Sequence, residues 1–303
     1  MTGVYFNSTI NSDFRKLKKF IEKMEIPSHC IFCEGVDLTI KEPKHHPSYE
    51  ITTACNLNCI FCYSNVALKN KTAPKPGYYG DLSPKAITIS QYGEPLLVGC
   101  EKVAYIIKKL KERFGDVSGD VRIDLQTNGV FLDMDKLDGL VDIVMISLDG
   151  FGKNYSKLTG VDAFDKVIKA LNEVAKADCI GVVRSIHMPG INDEDLVKIA
   201  KMCDEIGIDE FFLQPLSVYE ENAERLLKAG LNISKTENFS EFIKVVAKIQ
   251  EEVCVNVKIP GCILSNLKDL MRKYDFEDLM LLKRNSLATS PPKIRREWRF
   301  VIE

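Results

Sequence analysis

The chain has 303 residues, 45% of them hydrophobic, enough to bury a sizeable core in one large domain with appendages or in two domains. Its 41 basic and 43 acidic side chains nearly cancel to a net charge of −2, which excludes a global drive toward nucleic acid. Ten cysteines at this length do not make the dense disulfide framework of a small secreted scaffold, and no apolar run approaches the ~20 residues that span a bilayer. The opening Met1–Asn7 lacks the basic start and apolar stretch of a signal peptide, so the protein reads as soluble, cytoplasmic and thiol-reduced.

Residues 1–48 form an N-terminal extension. Ser12 and Asp13 are placed to cap a helix carrying Phe14, Leu17, Phe20, Ile21 and Met24 at helical spacing, which Pro27 ends. That stripe reads as core-facing. His29-Cys30-Ile31-Phe32-Cys33-Glu34-Gly35 follows, a C-x2-C knuckle whose small residue leaves backbone N–H groups free to point at the sulfurs. The pair supplies half a metal site. Cys262 stands on a turn after Pro260-Gly261, and Cys254 opens the segment before it, so the expectation is a second site of Cys30, Cys33 and Cys262, with Cys254 the further candidate. Three thiolates would suit an auxiliary iron–sulfur cluster with one open iron, and four would make zinc equally suitable. Cys100, Cys179 and Cys203 fall in or beside regular elements and read as packed residues.

The segment Cys55-Asn56-Leu57-Asn58-Cys59-Ile60-Phe61-Cys62 places three cysteines at x3 and x2 spacing, with an aromatic just before the third. Such a loop suits one corner of a [4Fe–4S] cluster, each thiolate taking one iron and the fourth iron keeping no protein ligand. A structural zinc site wants four protein ligands, and the loop offers three. Three buried free cysteines are the remaining alternative.

From residue 49 on, short aliphatic strands at 48–53, 86–91, 121–127, 143–148, 180–187 and 210–214 alternate with helices at 98–114, 135–140, 163–177 and 193–206. Such alternation argues for a parallel sheet with right-handed crossovers. The strand ends carry Gln91-Tyr92-Gly93-Glu94-Pro95, Gln126-Thr127-Asn128-Gly129, Ser147-Leu148-Asp149-Gly150 and Gln214-Pro215. Arg184, among Val182, Val183 and Ile186, is costly to bury alone and calls for a carboxylate, internal or from a ligand.

Cys55-x3-Cys59-x-Phe61-Cys62 resembles the signature of the radical S-adenosylmethionine (SAM) enzymes, and the strand-end turns follow in that family's order. The resemblance covers roughly residues 49–215 and implies an α/β fold, a partial (β/α)6 TIM-like barrel of parallel strands between N- and C-terminal extensions. It implies that Cys55, Cys59 and Cys62 hold the cluster and that Phe61, Gly93, Glu94, Ser147, Arg184 and Gln214 contact SAM. It also implies an oxidoreductase-type activity in a low-oxygen setting. Reductive cleavage of SAM would yield a 5′-deoxyadenosyl radical that takes hydrogen from substrate, with ferredoxin or flavodoxin as reductant. Tyr92 stands where the family has a first glycine; it reads as a substrate wall or as packing, and Thr127 and Asp149 are further substrate-side candidates.

Residues 216–303 read as an extension with helices at 219–229, 237–251 and 267–283 and a strand at 254–259. The basic tail 290–299, with the one tryptophan, reads as a solvated end docking its aromatic, or as an RNA-stacking segment. The turns lean toward enzymes of cofactor biosynthesis or peptide modification acting on a small molecule or a peptide. A tRNA-modifying enzyme is the alternative, and a non-catalytic iron–sulfur carrier or scaffold is the alternative of another class.

Overall fold

The computed structural model describes residues 8–118, 120–285 and 287–303, with side chains from residue 14 on and those of 116–118 excepted. In chain order come α1 (Ser8–Lys23), β1 (Ser48–Glu50), α2 (Tyr63–Lys69), β2 (Gly77–Tyr79), β3 (Ala86–Ile89), α3 (Cys100–Ser118), β4 (Arg122–Thr127) and β5 (Ile143–Ser147). Then follow α4 (Lys153–Thr159), α5 (Phe164–Val174), β6 (Ile180–His187), α6 (Asp193–Ile206), β7 (Glu210–Pro215) and α7 (Glu220–Lys228). The chain ends with α8 (Ile233–Glu237), α9 (Phe239–Glu252), β8 (Asn256–Lys258), α10 (Gly261–Lys273), α11 (Phe276–Leu281) and β9 (Trp298–Phe300).

The strands make one sheet in the order β8-β7-β6-β5-β4-β3-β1-β2-β9, an open and partial barrel. Neighbours from β1 and β3 through β8 run parallel, while β2 and β9 are antiparallel at one edge. The six expected strands are present, and the sheet grows at both ends. β8 lies parallel to β7, and β9 pairs with β2, so residues 216–303 contribute to both edges. No helix among the described residues is long and apolar enough to cross a membrane.

Several boundaries differ from expectation, for local reasons. α1 begins at Ser8, ahead of the expected Ser12–Asp13 cap, whose side chains lie outside those described. The helix expected over 135–140 is a single 3-10 turn, Met134–Lys136. The helix expected over 267–283 is two: α10 begins at Gly261, and Asp275 caps α11 by accepting the Glu277 N–H at 2.8 Å. The tail is structural. Arg296, only 9% exposed, pairs with Glu34 at 2.6 Å and Asp81 at 2.7 Å, and Trp298 lies under the Lys75 ammonium.

Strand alternation divides the sheet into two faces. Val144 and Ile146 of β5 face the helices in the main core, whereas Ile143 and Met145 join Val182 and Phe212 in a small cluster on the concave face. At the strands' N-terminal ends that face is plugged by residues that precede β1. Arg122, which opens β4, donates to the carbonyls of Ser28 and His29 at 3.0 Å each. The Ser28 hydroxyl donates to Glu210, which opens β7, at 2.7 Å, and the His29 ring stands edge-on to Phe212 with centroids 4.4 Å apart. With one end filled, the concave face is free at the C-terminal ends of the strands, where α/β barrels carry their chemistry.

Candidate active site

The cysteine loop runs from the end of β1 to the start of α2 over those strand ends. Its backbone is strapped on several sides. Asn58 and Ile60 donate to the carbonyls of Thr159 and Leu158 at the end of α4, at 2.7 and 3.0 Å. The Arg225 guanidinium of α7 donates to the Asn58 carbonyl at 2.8 Å, and the Glu94 N–H to Ala54 at 2.8 Å. Phe61 anchors the loop by burying its ring in a second apolar cluster with Leu158, Met188, Leu216, Val218, Leu226 and Leu231. The loop is thereby held rigidly while Cys55 stays exposed and Cys59 and Cys62 half-buried. Burial raises the thiol pKa of Cys55 and Cys59, so binding a metal there would release protons.

A cavity opens beside the loop. Its walls bring together Cys55, Cys59, Phe61 and Cys62 with Gly93 and Glu94 after β3, Thr127 at the end of β4, Ser147 and Asp149 at the end of β5, and Arg184 of β6. Two sequence candidates fall off those walls. Tyr92 is buried with its ring edge-on to Tyr63, so of the two readings open for it the structure gives packing; Tyr63 lines the cavity instead. Gln214, level with Ile186 on the next strand, does not line the cavity either.

Gly93 explains its own identity. It sits at φ 66°, and a Cβ there would lie 2.3 Å from the Thr52 carbonyl oxygen and 2.7 Å from that of Ala54. Only glycine lets this turn lie against the backbone of the cysteine loop. The Glu94 carboxylate, 1% exposed, is spent on neighbours: it accepts the N–H groups of Leu96 and Asn128 and the Thr127 hydroxyl at 2.7–3.0 Å. Burial outweighs those bonds and pushes its pKa up to about 7. Asn128 passes the tie onward, donating to Asn56 Oδ1 at 2.8 Å and lying 3.8 Å from Cys55 Sγ.

Ser147 and Arg184 are partners in the β5–β6 ladder. Arg184 donates to Gln126 Oε1 at 2.8 Å and forms no ion pair within 4 Å among the described residues, so its charge faces the cavity with a neutral partner. Asp149 accepts the Ile186 N–H at 2.7 Å, and burial pushes its carboxyl up to about 7.

Two residues were not legible in the sequence. Glu50 of β1, 1% exposed, accepts the N–H groups of Gln91 and Tyr92 at 3.1 Å and so fixes the turn after β3. Tyr155 of α4 lines the cavity with its hydroxyl buried and without a hydrogen-bond partner; the Thr159 hydroxyl beside it donates to the Tyr155 carbonyl. Three soft thiol donors, an arginine with no carboxylate within 4 Å among the described residues, a turn that only glycine fits and an orphaned hydroxyl form a donor set that suits an iron–sulfur cluster and a zwitterionic ligand.

The family model of the radical SAM superfamily matches residues 49–203. An uncharacterized protein of Methanocaldococcus jannaschii is 38% identical over 264 residues, which are 84% of this chain and 87% of that one. A probable GTP 3′,8-cyclase of Pyrococcus abyssi is 29% identical over 169 residues, 52% of each chain. Among solved structures, Streptococcus suis SuiB bound to its precursor peptide SuiA superposes with a TM-score of 0.52 at 16% identity, covering 93% of this chain and 61% of that one. SuiB bound to S-adenosylmethionine gives 0.53 at 15% identity, covering 92% and 62%. The chain thus spans about half of the cyclase and under two thirds of SuiB.

Proposed function

Since the chain belongs to the radical SAM superfamily and is an enzyme, we propose that Cys55, Cys59 and Cys62 hold its [4Fe–4S] cluster and that the adjoining cavity binds S-adenosylmethionine. When bound, cluster and cofactor supply reductive cleavage of the sulfonium and, through it, hydrogen abstraction from substrate.

The protein's own part is binding, orientation and exclusion of water. Arg184 receives the cofactor's carboxylate, and Ser147, its ladder partner, contacts the same ligand from the next strand. The backbone of the Gly93-Glu94 turn faces the amino group, with the Glu94 side chain acting as the clasp that sets the turn. Phe61 holds the cysteine loop against α4 and α7. Thr127 and Asp149 stand on the walls where substrate would lie beyond the cofactor. Residues 49–215 carry this machinery and the flanking segments close it.

The observation that carries the reading is convergence. Four separate strand ends and the three-cysteine loop meet at one cavity, and its arginine has no carboxylate within 4 Å among the described residues. The 29% identity to a GTP 3′,8-cyclase supports a small-molecule substrate of the cofactor-biosynthesis type. The likeness to SuiB is one of fold and leaves a peptide substrate as the second reading. A reduced cytoplasm with ferredoxin or flavodoxin as electron donor completes the proposal.

The test is anaerobic reconstitution with iron and sulfide, followed by assay of 5′-deoxyadenosine under a strong reductant. Wild-type protein forms it, and the Cys55→Ala/Cys59→Ala/Cys62→Ala variant does not. Deoxyadenosine from the triple variant would overturn the assignment.

A further inference from the structure

Seven cysteines lie outside that cavity, and the fold brings three of them together from opposite ends of the chain. Cys30 and Cys33 flank the knuckle before β1, and Cys262 is the second residue of α10. Two glycines define how closely they meet. A Cβ on Gly35 would lie 3.1 Å from Cys262 Cβ and 3.6 Å from Cys33 Sγ. One on Gly261 would lie 2.8 Å from Cys30 Cβ and 3.3 Å from its sulfur. Side chains at either position would crowd the cysteines.

The backbone is arranged for thiolates as well. The Gly261 N–H donates to Cys30 Sγ at 3.4 Å. Phe32 takes a left-handed conformation, φ 71°, between the two knuckle cysteines. A non-glycine residue adopts that region at a cost, and here it turns the knuckle around its sulfurs. Hydrogen bonds to sulfur and a tight turn between ligands are what a thiolate metal centre needs from its surroundings.

Cys254 does not belong to this group. It is exposed, and its N–H donates to Asp204 of α6 at 2.7 Å, before β8 begins. Three thiolates therefore meet without a fourth. Among the described residues no three His, Cys, Asp or Glu side chains close around a single metal ion. A lone zinc ion is the poorer fit, because it wants four ligands around one point and the three thiolates would need His29, whose Nε2 lies 3.3 Å from Cys30 Sγ, as the fourth. A cluster, whose irons each take one thiolate, is the better.

We propose that Cys30, Cys33 and Cys262 hold a second iron–sulfur cluster, which staples the segment plugging the barrel to the start of α10. This site is independent of the one assigned to Cys55, Cys59 and Cys62, and iron content separates the two.

The Cys55→Ala/Cys59→Ala/Cys62→Ala variant, reconstituted anaerobically, is expected to retain about four irons with matching sulfide, and the wild type about eight. Adding Cys262→Ala to the triple variant removes the remainder, whereas adding Cys254→Ala does not. Gly35→Val, which crowds Cys33 Sγ and Cys262 Cβ, lowers the iron of the wild type toward four. Four irons in the wild type, iron that survives Cys262→Ala, or one zinc per chain closed by His29 Nε2, which lies 3.3 Å from Cys30 Sγ, would each overturn the proposal. The wild-type count stands even if a variant fails to fold.

Discussion

The Glu94 carboxylate accepts the Thr127 hydroxyl at 2.7 Å, so the turn after β3 and the end of β4 are clasped to each other below the cysteine loop. The same carboxylate holds two backbone N–H groups in a site closed to water. Glu94→Ala leaves those donors buried and unsatisfied. The expected loss is about 3 kcal/mol or more of folding stability, since each such group costs about 1–3 kcal/mol. Urea unfolding of the two proteins measures it, and a loss under about 1 kcal/mol would show that the clasp is dispensable.

Arg184 and Ser147 are predicted to bind cofactor and not iron. Arg184→Ala and Ser147→Ala should each weaken S-adenosylmethionine binding roughly tenfold or more, the effect of losing one charge-assisted contact of about 1.5–3 kcal/mol. The iron–sulfur absorbance stays unchanged. Calorimetric titration of reconstituted protein gives the affinity; an Arg184→Ala variant that binds as the wild type does would reduce the arginine to a partner of Gln126.

Gly93→Ala tests the close approach of the two loops. The new methyl meets carbonyl oxygens 2.3 and 2.7 Å away, and the left-handed backbone alone costs about 1–2 kcal/mol. The loops must part, so both thermal stability and iron retention fall. A crystal structure of the variant with the Thr52–Ala54 backbone unmoved would contradict this account.

Glu50 gives a pH dependence of definite sign. Burial lifts its carboxyl above the ordinary carboxylate range, to about 7 in the folded chain. A group that holds its proton more tightly when folded contributes stability below the ordinary carboxylate range, and that contribution fades as pH rises toward 7. Melting temperatures of the wild type should therefore fall between about pH 5 and 7.5 more steeply than those of Glu50→Gln, which carries no titrating group there. Parallel slopes would assign the dependence to other residues.

The parallel sheet was legible because each strand is a short aliphatic run bounded by a turn, a pattern that survives in one dimension. The cavity walls were legible for the same reason: cysteines, Gly93, Thr127, Ser147, Asp149 and Arg184 all sit at or near strand ends that announce themselves. β2 and β9 did not, since each pairs with the other from across the chain, a partnership that no local pattern announces. Glu50 and Tyr155 carry no local signal at all; what distinguishes them is burial, which depends on everything packed around them. Tyr92 was ambiguous because substitution of a motif glycine says that the backbone differs but not where the ring goes.

β9 is the last strand made, and it covers the edge of β2, with Phe300 stacked on Tyr78 at a centroid distance of 5.1 Å. Until synthesis has passed residue 300, β2 offers an unpaired row of N–H and C=O groups to any other chain nearby. A nascent or proteolytically trimmed molecule thus presents the edge of β2, and reaching residue 300 moves the open edge of the sheet to β9.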